Sequence, residues 1–263
     1  MVDKRLRVMV MTLNDMKAYY INFLFGLIGF PIFIAVTYFL WKVILENSTM
    51  TGITLGYLVS YYTLIYAVRS TTMQISVTRK ISSDVREGRM VVILSRPMSY
   101  LSYTFWKRVL VFLFNLILYF LIIWGLSLFF NLKITNDLVF ILMFLISLFF
   151  AFLMNFAMFF AVGMSAFWME ENWGFVGSFR TISSFLAGAW IPLELLSGTL
   201  KEIAFLLPFR YTAHFPVMVL QGNVPLSEIF INFGLIVFWT VVFFIIAKLA
   251  WKAGEKKFSG YGV

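Results

Sequence analysis

The chain has 263 residues, 62% of them apolar and only 13% charged, and Phe alone occurs 32 times; a water-soluble fold of this length has too little interior for that much apolar surface, whereas lipid accepts it. A net charge of +9, no Cys and a single His, His214, exclude disulfides, thiolate chemistry and metal centres built from Cys or several His. The basic residues lie beside apolar runs, which is the positive-inside pattern of a membrane protein and not a nucleic-acid footprint.

Residues 4–20 predict a basic amphipathic helix. Leu6, Met9, Val10, Leu13, Met16 and Tyr20 recur at three- and four-residue spacing, with Arg5, Arg7, Thr12, Asn14 and Asp15 largely on the other side. Such a helix lies in the headgroup region and attracts anionic lipid. Residues 21–41 are the first long apolar run, too long for a signal-peptide core and kinked at Pro31. The second run, 53–77, is less apolar and carries Arg69, which is expected to snorkel to the cytoplasmic headgroups.

A polar segment over 79–100 follows. Asp84 and Glu87 have the spacing of a capping box, which would start a helical turn. Gly88 has the freedom to end a turn at positive φ, and Pro97 blocks continuation into the next span. Between them, Met90, Val91, Val92, Ile93 and Leu94 form a short apolar run that must dock on a partner protein or on the membrane interface.

Further spans are expected at 109–130, 138–168, about 173–193, and 229–251, which makes six. Asn115 and Asn155 fall mid-span, where interhelical hydrogen bonding is their expected role. Arg180 falls inside the fifth span and Glu194 follows it; both are candidates for a pathway or a gate, since ionisable groups at membrane depth are functional by default. Residues 194–222, with Pro208, Pro216 and Gly222, have the broken hydrophobicity of an outer re-entrant segment.

Orientation follows from Lys and Arg in the connections. The first 20 residues, the segment after span two (through Lys107 and Arg108) and the tail from Lys248 hold fifteen of the 21 basic residues. An even number of spans puts all three on one side, the cytoplasm, with both termini there. Trp41, Trp106 and Trp251 fall where an aromatic belt is expected.

Three stretches carry a family resemblance. Ile81, Asp84, Arg86, Gly88, Leu94, Arg96 and Pro97 reproduce the spacing of the "I-x-x-D-I-R-x-G-x-x-x-x-x-L-x-R-P" loop of type-2 ATP-binding-cassette permeases, with Val85 at the second Ile. Leu207, Pro208 and Phe209, then Pro216 and Gly222, resemble that family's block before its last span. The tail from Trp251 through Gly254 to Gly262 resembles its closing basic stretch, with Phe258 where Tyr is usual. The resemblance covers nearly the whole chain in order and spacing. It implies a single all-α permease domain over 1–263, of six transmembrane helices with an N-terminal interfacial helix (1–20), a cytoplasmic coupling helix (79–100) and an outer re-entrant segment (194–222). It implies that Asp84, Arg86, Glu87, Gly88 and Arg89 form the coupling face, which engages a separate ATPase subunit. It implies further a second permease copy or homologue, membrane lipids as partners, residence in the cell membrane and export of cargo. The Phe-, Leu- and Ile-rich spans suit an amphiphilic or lipid-like cargo.

The chain has no Gly-x-x-x-x-Gly-Lys-Ser/Thr stretch, so ATP and magnesium are expected in the partner, with no catalytic, cofactor or metal residues here. Other classes remain open: a channel or ion-coupled carrier, a membrane-embedded lipid enzyme, or an assembly factor. A lipid enzyme calls for convergent Asp, Glu, His or Ser groups at one depth, and an ion-coupled carrier for repeats or midplane acids. The sequence displays neither.

Overall fold

Long apolar runs become helices in lipid because a helix bonds all its backbone polar groups internally. The computed structural model describes residues 4–18, 20–47, 52–94, 98–128 and 130–259, and all the regular structure among them is helical. The helices are α1 (Lys4–Ala18), α2 (Tyr20–Glu46), α3 (Leu55–Thr72), α4 (Ile75–Arg86), α5 (Met90–Leu94), α6 (Tyr100–Ser127), α7 (Leu138–Gly163), α8 (Trp173–Leu186), α9 (Gly198–Leu206), α10 (His214–Leu220) and α11 (Leu226–Ser259). Arg96 and Pro97 of the loop motif, Gly262 of the tail, and the side chains of Met16, Tyr20, Leu94 and Phe258 lie outside the described residues.

Among the described residues, four helical stretches are long and apolar enough to cross a bilayer: Ile28–Glu46, Tyr100–Ser127, Leu138–Phe167 and Leu226–Lys257. On α2, α6 and α11 large apolar side chains such as Phe39, Ile117, Trp124 and Ile231 point away from the protein. Exposed surface of this extent belongs in hydrocarbon or against a partner. α7 is the central helix, nearly all buried from Ser147 to Gly163, and packs against α11, α10, α4 and α3. The rings of Phe112 on α6 and Phe152 on α7 stack at 4.4 Å in its core.

The other two expected spans differ from these four. The run at 53–77 is not one helix. α3 ends at Thr72, Met73 is extended (φ −68°, ψ 131°), and α4 begins at Ile75. α3 is covered on most sides, with Leu58, Tyr61, Leu64 and Ile65 fully buried, so Tyr61, Tyr62, Thr63, Thr71 and Thr72 lie inside the protein. The run at 173–193 forms only the 14-residue α8, about 21 Å long against a hydrocarbon core of about 30 Å. Beyond it the backbone is irregular through Gly188 (φ +75°) to Pro192. Tyr61 Oη donates to the Gly188 carbonyl at 2.8 Å and Tyr62 Oη to the Trp190 carbonyl at 2.7 Å. The hydroxyls of α3 thus take up carbonyls that a helix would have bonded itself, which is the condition for irregular backbone in an apolar interior.

The third span begins earlier than expected. Ser99 caps α6, accepting from the Ser102 N–H at 3.3 Å, so Trp106, Lys107 and Arg108 are helical and not loop residues. α2 runs through Pro31 without interruption. α1 lies along the first turns of α6, with Asp15 accepting from Lys107 at 2.9 Å and the Arg5 guanidinium 5.3 Å from the Trp106 ring. Its Leu6, Val10, Met11 and Leu13 are left exposed. Of the expected belt residues, Trp41 is buried against Tyr62, and Trp251 is half-buried, stacked on Tyr100.

Candidate functional site

The segment expected to couple to an ATPase is built on α4. Its inward face, Val77, Thr78, Ile81, Ser82 and Asp84, is buried against the end of α7. The Thr78 hydroxyl donates to the Phe159 carbonyl at 2.6 Å. At Gly163 the two helices nearly touch: a Cβ there would stand 2.7 Å from Ile81 Cδ1 and 3.2 Å from Thr78 Cα. Buried Asn172 donates to Ser82 at 2.9 Å and to Ser165 at 3.0 Å, tying α4 to the connection between α7 and α8.

Asp84 and Glu87 do not start a helix. They sit at the end of α4, with Glu87 as its C-cap and Gly88 at φ +67° immediately beyond. The expected capping box is absent because the helical run already begins at Ile75; the expected positive φ at Gly88 is present. Asp84 is fully buried and accepts from Lys80 Nζ at 2.7 Å, Arg89 Nε at 2.8 Å and Tyr100 Oη at 2.9 Å. It joins α4, the Gly88 turn and the start of α6. Arg86, Glu87, Gly88 and Arg89 are exposed. Arg89 also contacts Glu87 and Ser83, and its bond to Asp84 holds the guanidinium above its ordinary pKa. The guanidinium groups of Arg79 and Arg86 lie 5.8 and 5.9 Å from the ring of Trp173, at the start of α8. In the apolar run after Gly88, Met90 is fully buried and Ile93 packs beside it, while Val91 and Val92 stay exposed.

At the opposite end, residues 194–222 fold as helix, break and helix. Leu207 ends α9, Pro208 opens a 3-10 turn, and Phe209 meets Phe179 of α8 edge-on with ring centres 6.1 Å apart. Pro216 is buried within α10, and Gly222 (φ +70°) makes the turn beyond it. The Thr135 N–H donates to the Leu220 carbonyl at 2.9 Å, so this segment meets the connection between α6 and α7. His214 is buried; its Nδ1 lies 3.2 Å from Tyr61 Oη and its Nε2 3.0 Å from Glu194. Burial acts to raise the Glu194 carboxyl, but the hydrogen bond and charge of His214, with help from Lys201, hold it below its ordinary value.

The chain matches the family described as "ABC-2 family transporter protein" over residues 32–262. It belongs to that family. No curated protein matches it. The match starts inside α2 and includes the loop motif, the re-entrant block and the tail. The permease is thus a multi-pass membrane component of an ATP-binding-cassette transporter, and its family works with a separate ATPase subunit.

Between the two ends, the permease holds polar groups that the sequence pointed to and others it did not. Asn115 Nδ2 donates to the Ser70 carbonyl of α3 at 3.0 Å, the expected interhelical bond; Asn155 is buried on α7. Arg69 does not snorkel. Its Nη2 crosses to α8 and donates to Ser184 Oγ at 2.6 Å, with Met73 Sδ 3.5 Å away. Arg180 is exposed, and the ion pairs among the described residues do not join it to Glu170 or Glu171. Arg210 lies over the rings of Phe205 and Tyr211 and donates to Asn232 of α11. Tyr100 and Asn172 went unnoticed in the sequence, where Arg108 counted only as a cytoplasmic charge and Gln74 only as a polar residue in the less apolar second run. Gln74 Oε1 accepts from Arg108 Nε at 2.5 Å, which holds the break between α3 and α4 against α6. The available signal was Gln74 itself, a polar residue beside an apolar run, but nothing in the linear chain named its partner. No group of three or more potential metal ligands occurs among the described residues.

Proposed function

We propose that the permease crosses the cell membrane six times, with both termini in the cytoplasm, and exports an amphiphilic or lipid-like cargo as the energy of ATP is delivered through α4. α3 crosses among the four apolar spans, and α8 crosses beside α3 with Phe175, Arg180 and Ile182 left exposed. Support comes from the burial of α3 and from the bonding of the irregular stretch after α8 by Tyr61 and Tyr62. α1 lies on the membrane with Leu6, Val10 and Leu13 in lipid. Residues 194–222 face the outside. Arg180 and Glu194 lie along the cargo route, and a second permease, identical or homologous, completes it. An apolar cavity of about 490 Å³ between α3, α6 and α7, lined by Leu64, Val68, Leu116, Ile123, Phe144 and Leu148, favours a greasy cargo.

The observation that carries this reading is the rigid joint at α4. Asp84 fixes the turn from within, and Arg86, Glu87 and Arg89 are displayed outside it. Exposed charges of both signs on a fixed turn give orientation-specific docking, and the Gly163 contact passes any push directly to α7, the central helix. The partner ATPase supplies ATP and magnesium chemistry; this chain is not itself an enzyme. Purification of the tagged chain from its native membrane in mild detergent, with mass spectrometry of what accompanies it, tests the reading. A stoichiometric ATPase with a phosphate-binding loop is expected. Its reproducible absence from intact permease would favour a channel, a carrier or a lipid enzyme.

A further inference from the structure

Arginine cannot shed its charge inside a protein, and a guanidinium removed from water needs a counter-ion. The permease supplies one to only some of its cations. Lys80 and Arg89 have Asp84, and Lys107 has Asp15. Arg69, Arg108, Arg180 and Arg210 form no ion pair among the described residues. Arg108 and Arg210 are bonded to the amide oxygens of Gln74 and Asn232, whereas Arg69 and Arg180 lie within each other's field, across the contact between α3 and α8.

Their arrangement is built. Arg69 Nη2 donates to Ser184 Oγ at 2.6 Å, and Ser184 donates in turn to the Arg180 carbonyl at 2.6 Å. The Arg69 guanidinium is thereby anchored on α8, one helical turn from Arg180. Arg69 also lines a groove of about 270 Å³ whose other walls are Ile65, Tyr66, Ser70, Met73 and Ala189. The Arg180 side chain is exposed and donates to nothing among the described residues. The site has one anchored positive charge with an apolar wall beside it, and a second charge one helical turn along α8 whose side chain is free to turn toward a ligand.

We propose that Arg69 and Arg180 form a recognition site for a phosphate-class oxyanion, carried by the headgroup of an amphiphile whose tail lies along Ile65, Met73 and Ala189. A carboxylate fits one guanidinium fork and brings one negative charge. A phosphate monoester has three terminal oxygens and about −1.5 to −2 charge near neutrality, so it serves two forks and balances both charges. The inference rests on the permease reading, in which Arg180 lies along the cargo route, and it narrows the cargo class.

The test is calorimetric titration of the purified full-length chain, in neutral maltoside detergent, with dodecyl phosphate and separately with inorganic phosphate. The detergent already saturates tail-binding surfaces, so the heat reports on the headgroup. Saturable binding of dodecyl phosphate is expected, about tenfold weaker in Arg180→Gln and weaker again in Arg69→Gln/Arg180→Gln. Arg180→Lys should recover part of the affinity. Because Arg180 makes no hydrogen bond through its side chain, Arg180→Gln keeps the fold, which a single symmetrical gel-filtration peak verifies. Inorganic phosphate binding as tightly as dodecyl phosphate would keep the oxyanion site but assign it to a soluble anion, overturning the amphiphile. Undiminished binding in Arg180→Gln, or no saturable binding of either compound, would overturn the site. Co-purification of the ATPase is independent of this titration, so the permease reading survives a negative result here.

Discussion

At the scale of single residues, Asp84 shows how a charge read as a docking contact serves the fold. Its carboxylate is closed off by Lys80, Arg89 and Tyr100, so replacing it strands a buried hydroxyl and loosens the Gly88 turn. Asp84→Ala should destabilise the purified permease by about 2–3 kcal/mol, measured as a fall in thermal midpoint. Arg86→Ala, which removes an exposed side chain, should leave the midpoint nearly unchanged and weaken ATPase docking. Glu194 makes a pH prediction. Its carboxyl is held below the ordinary 4.5, so the folded state favours the charged form. The stability it adds is fully present above pH 4.5 and is lost as pH falls through the lowered folded value. The difference in thermal midpoint between wild type and Glu194→Gln should therefore be present in full just above pH 4.5 and close on acidification below it. A gap that stays constant to pH 3 would refute this.

At the scale of elements, lipid changes which contacts matter. Apolar burial gives helices little reason to associate when the alternative is hydrocarbon, so close approach and interhelical hydrogen bonds set the geometry. Gly163 lets α4 reach α7, and Gly254 lets α11 reach the turn at Phe167, whose ring would lie 2.4 Å from an added Cβ. Gly163→Val should cost about 1–3 kcal/mol by overpacking and should reduce transport-linked ATP hydrolysis, because α4 can no longer bear on α7. Gly88 differs, since a Cβ there meets nothing within 4 Å and only its φ of +67° is demanding. Gly88→Asn should be tolerated. Gly88→Pro, locked near φ −65°, should insert normally and hydrolyse ATP with its partner while failing to transport. Unaltered transport in that variant would remove α4 and its turn from the coupling route.

At the scale of the whole molecule, the number of crossings is decided by α3 and α8, and it is open to direct measurement. The chain has no Cys, so single cysteines report sidedness without a background. With six crossings, Arg86→Cys and Lys256→Cys should react with an impermeant maleimide only from the cytoplasmic side, and Asn136→Cys and Asn223→Cys only from outside. If α3 did not cross, residue 86 would label from the outside, since α2 alone would precede it. If α8 did not cross, residue 223 would label from the cytoplasm.

Composition and order along the chain were enough to determine the all-helical membrane class, four of the spans, the basic character of one end and the positive φ at Gly88. Each depends on local properties: apolar length, charge beside a span, and a glycine at a turn that demands positive φ. The family was legible too, because its motifs are short strings at set spacing. Tertiary structure decided the rest. A hydropathy pattern treats every helix as though it faced lipid, so α3, rich in Tyr and covered by its neighbours, read as a poor span. The break after α8 depends on hydroxyls more than 120 positions away in sequence. The inward turn of Asp84, the reach of Arg69 to Ser184 and the bond of Arg108 to Gln74 are likewise pairings across the fold. Linear spacing identifies which residues carry charge; which of them meet is fixed only when helices pack closely enough to exclude other partners.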